Sequence, residues 1–410
     1  MSGGATLTRR GLLQAGMATA GATLAMGACT DDEPAVSTAS PRRRIDHIGS
    51  RQPGITTPQP AHGAVAAFDT TAADRTELLE LFRALAAATD RLATGTADEV
   101  GNPLLPPADN LILGTAPAPD DLTVTVSLGA SLFDDRFGLA DRRPRHLERM
   151  PNFPNDEPHP ERSHGDIAIQ ICAGSETTVT HALRRLMRAS RRSLALRWMQ
   201  SGFVEPSTLP AGRTSTRNLL GFKDGTANLD PGDGPLMDEL VWVGDGDDEP
   251  AWARGGSYQV VRIIRTRVEF WDRTALATQE LIIGRAKATG APLDGELETD
   301  APRFADVGGA ITPLGAHIRL ANPRTDATQR NRILRRGFNF SSGFTKDGQL
   351  DQGLLFVCYQ RDLANGFVAV QRRLDGEALE EYIRPVGGGF FFVPPGRTQI
   401  GEPFAAALLA

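Results

Sequence analysis

The segment LLGFKDGTANLD, residues 219–230 of this 410-residue chain, places an acid, Asp224, between two glycines. Asp-Gly is a common turn signal, because glycine adopts backbone angles that other residues avoid. A carboxylate held on such a turn can also act as a general acid or base if the loop lines a site. The motif by itself favours a plain turn and leaves chemistry at Asp224 open.

A second candidate is His317, in the segment LGAHIRLANPRT. Arginines are frequent after it, and Arg319, Arg324, Arg335 and Arg336 all lie within the next nineteen residues. Guanidinium groups pair with carboxylates in a planar, two-pronged geometry, so a histidine among arginines suits a cofactor that carries carboxylates. A solvated basic loop is the competing interpretation, and composition alone favours it.

Several other kinds of site are excluded by spacing. The chain has no HExxH, CxxCH, GxSxG or GxGxxG motif, which argues against a zinc protease, covalently attached haem, a serine hydrolase elbow or a dinucleotide loop. Cys172 and Cys358 lie in apolar, strand-like runs and are predicted to be buried, inert thiols. The acids of ELLE (77–80) and EALEE (377–381) are predicted to lie on solvated helix faces.

The formal net charge is −6, which argues against a nucleic-acid surface. Near the N-terminus, TRRGLL (8–13) is a twin-arginine start, and the weakly apolar stretch that follows is too short for a permanent membrane span. We therefore expect residues 1–28 to be a twin-arginine signal peptide that directs export of the folded protein. Cys29 is either lipidated or follows an ordinary cleavage site, and residues 29–55 read as a linker.

Two halves of the chain share one predicted order of elements, β-α-β-β-α-β. The predicted strands are 62–69, 121–133, 164–173 and 194–203, then 257–268, 335–344, 353–360 and 387–395. The predicted helices are 72–93, 175–190, 269–284 and 365–374. This pattern predicts an α+β fold of two ferredoxin-like units, 56–215 and 216–410, whose antiparallel sheets face each other in a core of the dimeric α+β barrel type. Two long inserts, 204–256 and 285–334, are typical of functional loops, and they hold Asp224 and His317.

Three segments carry a specific resemblance to a known family. GFKDGTAN (221–228) resembles the GxxDG motif of dye-decolorising (DyP-type) haem peroxidases, AHIRLANPR (316–324) resembles their proximal-histidine segment, and LRRGFNF (334–340) resembles the segment with their distal arginine. SLFDDRFGL, HGDIAIQICA, VEFWDRT and GEALEEYIRPVGGGFFF are similar to the EfeB branch of that family. The resemblance runs from about residue 52 to the C-terminus, and the family fold agrees with the repeat.

The resemblance implies a role for each matching residue. His317 corresponds to the axial ligand of haem iron, and Asp224 and Arg335 correspond to the distal pair that handles peroxide. The remaining implied haem contacts are Gly225, Thr226, Ala227, Asn322, Pro323 and Arg324, with Arg324 a partner for a propionate. Asp306, eleven residues before His317, stands where relatives often carry an acid bonded to the proximal imidazole.

The same resemblance implies an exported peroxidase with one haem b per chain. Its expected substrates are hydrogen peroxide together with aromatic reductants or haem and porphyrin, and its branch is associated with removal of iron from haem with the porphyrin left intact (deferrochelatase). Iron uptake with a ferrous-iron permease, a homodimer, and a place in the periplasm or cell envelope are further expectations. The alternative is an exported haem-binding or haem-delivery protein without turnover, in which Asp224 and Arg335 would be idle.

Overall fold

The computed structural model describes residues 42–95, 101–205, 207–208, 214–304 and 306–410. The predicted signal peptide, Cys29 and the first part of the predicted linker lie outside these ranges. In the part of the chain that is described, no helix has the length and apolar character needed to cross a membrane.

The strands come close to the predicted ones. In chain order they are β1 (His62–Thr70), β2 (Thr123–Gly129), β3 (Ile167–Ala173), β4 (Leu194–Phe203), β5 (Ser207–Thr208), β6 (Thr214–Arg217), β7 (Lys223–Asp224), β8 (Ser257–Thr266), β9 (Leu334–Arg335), β10 (Phe338–Phe344), β11 (Leu350–Gln360) and β12 (Ile383–Val393). The helices are α1 (Arg75–Thr94), α2 (Glu176–Ser190), α3 (Gly234–Leu240), α4 (Val268–Trp271), α5 (Leu276–Ile283), α6 (His317–Ala321), α7 (Asp326–Gln329), α8 (Ala369–Leu374) and α9 (Ala406–Leu409).

The long strands of both halves form one antiparallel sheet in the order β10-β4-β1-β3-β2-β12-β8-β11. Because β10 pairs with β11 as well as with β4, this sheet closes on itself as a barrel. The halves join at two seams, where Phe391 and Phe392 of β12 pair with β2, and where Asn339 of β10 pairs with Phe203 of β4. The predicted α+β fold with facing ferredoxin-like sheets is confirmed.

Alternation along the strands sorts side chains between the two faces of the sheet. On β1, Ala66 and Phe68 pack with the helical layer, while Val65 and Ala67 face the opposite apolar cluster. Helix α1 begins at its N-cap Asp74, whose carboxylate accepts from two backbone N–H groups, and it ends at Gly95 in the left-handed region. Cys172 on β3 and Cys358 on β11 are buried free thiols, as predicted.

Two predicted elements of the second half are interrupted, both near the site. The predicted helix 269–284 divides into α4 and α5, because the Gln279 side chain donates to the backbone carbonyls of Trp271 and Thr274 at the break. The predicted strand 335–344 divides into β9 and β10. Its Arg335 backbone forms hydrogen bonds with the Asn228 side chain, to Oδ1 at 2.9 Å and from Nδ2 at 2.7 Å.

Candidate active site

The segments that the sequence singled out line one apolar cavity. Its wall comes from the loop 218–229, from α6, from Arg335 at the end of β9, and from one face of β11 and α8. Among the predicted site residues, those on the wall are Asp224, Gly225, Thr226, Ala227, His317, Asn322, Arg324 and Arg335. Asp306 and Pro323 are not part of it.

Asp224 and Arg335 form an ion pair, with Arg335 Nη1 donating to Asp224 Oδ1. Asp224 ends the two-residue strand β7, which pairs with β6, and Gly225 follows with a φ of 109°. That angle favours glycine and turns the chain along the cavity wall. The two Asn228 hydrogen bonds hold the Arg335 backbone against the same loop. Both backbone segments that carry the ion pair are therefore held in place.

The ion pair sets the charge of Asp224. Burial raises the pKa of this carboxyl, but the charge and hydrogen bond of the Arg335 guanidinium outweigh it and hold the pKa below its usual range. Asp224 is therefore ionised at neutral pH, and its carboxylate can accept a proton.

Phe222 anchors the loop that carries Asp224. Its side chain is 1% exposed, and its ring meets the Trp271 ring edge-on at a centroid distance of 6.0 Å. Trp271 Nε1 in turn donates to the backbone carbonyl of Leu220 at 2.9 Å. The loop is thus fixed to α4 by packing and by a hydrogen bond, which keeps Asp224 at one place in the cavity.

On the other segment, His317 opens α6 and forms an ion pair with a buried glutamate. His317 Nδ1 lies 2.7 Å from Glu377 Oε2, and the Glu377 side chain is only 3% exposed. Burial lowers the pKa of His317, and the Glu377 carboxylate raises it by more, so the net direction is upward. With Nδ1 engaged, Nε2 is the ring nitrogen available to bind a metal.

The prediction that Asp306 bonds the imidazole is wrong. Asp306 Oδ1 accepts from Arg319 Nη1 at 2.9 Å, and its Oδ2 accepts from the backbone N–H of Ile311 at 2.9 Å. The loop before α6 therefore packs against Arg319, and Asp306 does not belong to the cavity wall that His317 lines. Arg319 is correspondingly absent from the cavity wall, although it belonged to the arginine cluster that drew attention to His317.

Glu377 is the functional residue that sequence reasoning missed, since the EALEE acids were assigned to a solvated helix face. Arg373 of α8 donates to the backbone carbonyls of Leu320 and Ala321 at 3.0 and 3.1 Å, which docks α8 against α6. The chain leaving α8 then carries Glu377 to the imidazole. The available signal was that EALEE lies within GEALEEYIRPVGGGFFF, one of the segments that resembles the family.

The remaining predicted residues line the cavity in different ways. Thr226 Oγ1 donates to Glu298 Oε1 at 2.7 Å, which ties the loop to the second insert. Asn322 has a buried side-chain oxygen without a hydrogen-bond partner among the described residues, an orphan that suggests a missing ligand. Arg324 adopts a φ of 60°, unusual for a residue other than glycine, and lies where the cavity meets a smaller one.

The cavity suits an anionic, flat, iron-bearing cofactor. Its walls are largely apolar, with Ile264, Leu354, Phe356, Val370 and Leu374 among them. Positive charge gathers in the same wall, where burial lowers the pKa of Arg285 and the charges of Arg324 and Arg335 lower it further. A cofactor with carboxylates would neutralise these cations while an imidazole nitrogen bound its metal. The residues present therefore fit haem.

Comparison with known proteins supports the same assignment over most of the chain. Residues 52–204 match the family model described as Dyp-type peroxidase, N-terminal, and residues 215–398 match Dyp-type peroxidase, C-terminal. The chain belongs to the DyP-type peroxidase family. As a DyP-type peroxidase it is a haem-dependent enzyme that uses hydrogen peroxide to oxidise a second substrate.

Two curated relatives of this DyP-type peroxidase carry the name deferrochelatase. The protein from Escherichia coli (strain K12) is 50% identical over 386 residues, which cover 92% of this chain and 90% of the relative. The protein from Yersinia pestis bv. Antiqua (strain Nepal516) is 51% identical over 363 residues, or 88% of this chain and 84% of the relative.

Solved structures of DyP-type peroxidases share the fold. The enzyme from Cellulomonas bogoriensis is 37% identical with a TM-score of 0.78, and the match covers 89% of this chain and 98% of that one. An oxyferrous complex of DtpA from Streptomyces lividans is also 37% identical, with a TM-score of 0.79 and coverage of 90% and 98%.

Proposed function

We propose that this DyP-type peroxidase binds one haem b per chain, in which His317 Nε2 would bind the iron and Arg324 and Arg285 would pair with the propionates. The haem supplies the iron at which peroxide is reduced. The observation that carries the proposal is that the Asp224–Arg335 pair and the His317–Glu377 pair line one apolar cavity.

Asp224 acts as the proton shuttle. Hydrogen peroxide must lose a proton from one oxygen and gain a proton on the other before its O–O bond can break. The ionised Asp224 carboxylate accepts the first proton and returns it to the second oxygen. Arg335 stabilises negative charge on the oxygens and keeps Asp224 ionised between turnovers.

Glu377 positions and polarises the ligand. Its carboxylate accepts the Nδ1–H of His317, which fixes the ring orientation and makes Nε2 a more basic ligand. Arg373 contributes indirectly, because it docks α8 against α6 and so sets where Glu377 stands.

The first test replaces Asp224 with Asn, which keeps the side-chain shape and removes the proton acceptor. We expect haem to remain bound, as judged by its absorbance, while the rate of the absorbance change on mixing with peroxide falls at least about 100-fold. An unchanged rate would favour the alternative function, haem binding or delivery without turnover.

We further propose that the protein releases iron from haem with the porphyrin intact, as the name of its relatives at about 50% identity suggests. Loss of the metal leaves pyrrole nitrogens that must take up two protons. Asp224 is an ionised acid of the described cavity wall, and we propose that it carries these protons.

Incubation of the protein with haem and a reductant tests the iron-release proposal. Ferrous iron, measured with a colorimetric chelator, and free porphyrin, measured by its fluorescence, should form in equal amounts. Bleached pyrrole products without porphyrin fluorescence would contradict deferrochelatase activity and leave the peroxidase assignment intact.

The cellular setting is proposed on the sequence alone. Twin-arginine export of the folded, haem-loaded protein places it in the periplasm or cell envelope, with Cys29 as a lipid-anchor candidate. A role in iron uptake beside a ferrous-iron permease, and a homodimer, complete this proposal.

A further inference from the structure

A surface remote from the active site combines exposed leucines with a cluster of arginines. Leu104 and Leu105, in the loop between α1 and β2, are 88% and 64% exposed. Leu111 and Ile112 of the same loop are each 37% exposed. Adjacent apolar side chains that are this exposed more often belong to an interaction surface than contribute to the stability of the fold.

Arginines lie beside the loop that carries these leucines. An open groove of about 460 Å³ at the C-terminal end of α2 is walled by Arg91, Arg185, Arg188, Arg191, Arg192 and three alanines. Arg188 Nη1 donates to the backbone carbonyl of Pro107, so the groove and the leucine loop are continuous. We term Leu104, Leu105, Arg188, Arg191 and Arg192 the basic-apolar surface.

The charge of this surface is not cancelled by the described acids around it. Asp109 is buried and accepts from Arg185 Nη1 at 2.6 Å, and the buried Asp120 pairs with Arg42 at 2.6 Å. Across the described ranges, no ion pair joins Arg188, Arg191 or Arg192 to an acid. The protein as a whole has a net charge of −6, so this is a local positive region on an acidic molecule.

The described chain begins next to the same surface. Arg44 Nη1 donates to the carbonyl of Ala93 at the end of α1. Residues 43–45 line a neighbouring cavity together with Arg91 and Arg185 of the groove. From Cys29 to Arg42 is thirteen residues, a reach of at most about 45 Å when extended. A chain anchored near Cys29 would therefore allow the basic-apolar surface to reach the membrane.

We propose that the basic-apolar surface docks on a membrane rich in anionic phospholipid. Leu104 and Leu105 enter the boundary between headgroups and acyl chains, and the arginines pair with lipid phosphates around them. The arrangement is a peripheral contact made by a loop and a helix end. It requires neither lipidation of Cys29 nor the proposed iron release.

Co-sedimentation of the full, haem-loaded chain with lipid vesicles tests the proposal. We expect binding to vesicles of phosphatidylcholine mixed with phosphatidylglycerol, weaker binding to phosphatidylcholine alone, and release by added salt. The double variant R191E/R192E should weaken binding to the anionic vesicles by roughly tenfold or more. L104S/L105S should weaken binding on both kinds of vesicle, since it removes the apolar contact.

A matched control reverses two exposed arginines at the opposite end of α1. R143E/R254E makes the same change in charge, and Arg254 follows Trp252, whose Nε1 donates to the Arg142 carbonyl at 2.8 Å. Arg75 in the first turn of α1 and Arg142 both donate to the Ala410 carbonyl, at 3.1 and 2.9 Å, so the control site lies at the N-terminal end of α1. Helix α1 is about 30 Å long, and the basic-apolar surface lies near its other end.

All variants keep the same N-terminal segment, so any vesicle binding by that segment is common to them. Unchanged haem absorbance and an unchanged thermal transition show that each variant is folded. Wild-type binding by both surface variants, or an equal loss in the control, would overturn the proposal. Wild-type vesicle binding by both surface variants would instead favour an acidic protein as the partner of this surface.

Discussion

The interactions of His317 show how a site residue depends on a partner distant in sequence. Its Nδ1 contacts Glu377, sixty residues further along the chain, whereas Asp306, eleven residues before it, bonds Arg319. Sequence reasoning identified the histidine and chose the wrong acid, because separation along the chain does not say which carboxylate the fold brings to a ring nitrogen.

The assignment of Glu377 predicts a difference between two conservative variants. Glu377→Gln should keep haem but make His317 a weaker donor, shift the haem absorbance and reduction potential, and lower peroxidase activity about 10- to 100-fold. Asp306→Asn is the matched control and should leave absorbance and potential unchanged. Equal effects of the two variants would mean that Glu377 has no special relation to the imidazole.

At the scale of elements, the loop 218–229 gains its rigidity from α4 and β9 rather than from its own sequence. Phe222 and Trp271 belong to a small apolar cluster with Leu220, Ile283 and Tyr382, and Asn228 bonds the Arg335 backbone. The Asp-Gly turn predicted from sequence is present. What turns it into part of a site is the packing of its neighbours on other elements.

Removal of the Phe222 ring should therefore affect both stability and activity. Phe222→Ala empties a buried position and is expected to lower the free energy of unfolding by about 3–5 kcal/mol, with a loss of peroxidase activity as the Asp224 loop shifts. Chemical denaturation measures the first effect. Phe344→Ala removes the same ring from a side chain that is 78% exposed and should change stability little. A similar loss in both variants would contradict the anchoring role.

At the scale of the whole molecule, one carboxylate ties the two ends of the described chain together. Asp90, near the end of α1, accepts from Arg397 Nη2 at 2.6 Å and lies 3.1 Å from His47 Nε2. It also accepts from the backbone N–H of Gly401 at 3.2 Å. Burial raises the pKa of Asp90, but the Arg397 guanidinium lowers it by more, so the net direction is downward.

This network predicts a stability difference that depends on pH. Asp90→Asn leaves the buried Arg397 charge unpaired and should cost about 3 kcal/mol at neutral pH. Because the folded pKa of Asp90 is depressed, its contribution is complete above the unfolded value of about 4 and is lost as the pH falls through the lower folded value. Unfolding of both proteins from neutral to acidic pH measures this, and a difference that stays constant would contradict it.

Barrel closure is the part of the fold that local sequence could not supply. The alternation of apolar residues predicted the individual strands and their repeated order, since each strand must offer one face to a core. The seams between β12 and β2 and between β10 and β4 join residues from opposite halves, and nothing local encodes them. The break at β9 likewise involves a side chain of a distant segment, Asn228, which bonds the Arg335 backbone. The break after α4 is local, because Gln279 of α5 bonds the carbonyls of Trp271 and Thr274.

The sequence by itself determined the repeated α+β order, the family resemblance, and the identities of Asp224, His317 and Arg335, because motifs and periodicity are properties of neighbouring residues. The tertiary structure alone decided that Glu377 bonds the imidazole, that Phe222 and Asn228 hold the Asp224 loop, and that Leu104 and Leu105 stand beside the arginines of α2. Each of these is a contact between segments far apart in the chain, and such contacts are set by how packed elements meet in space.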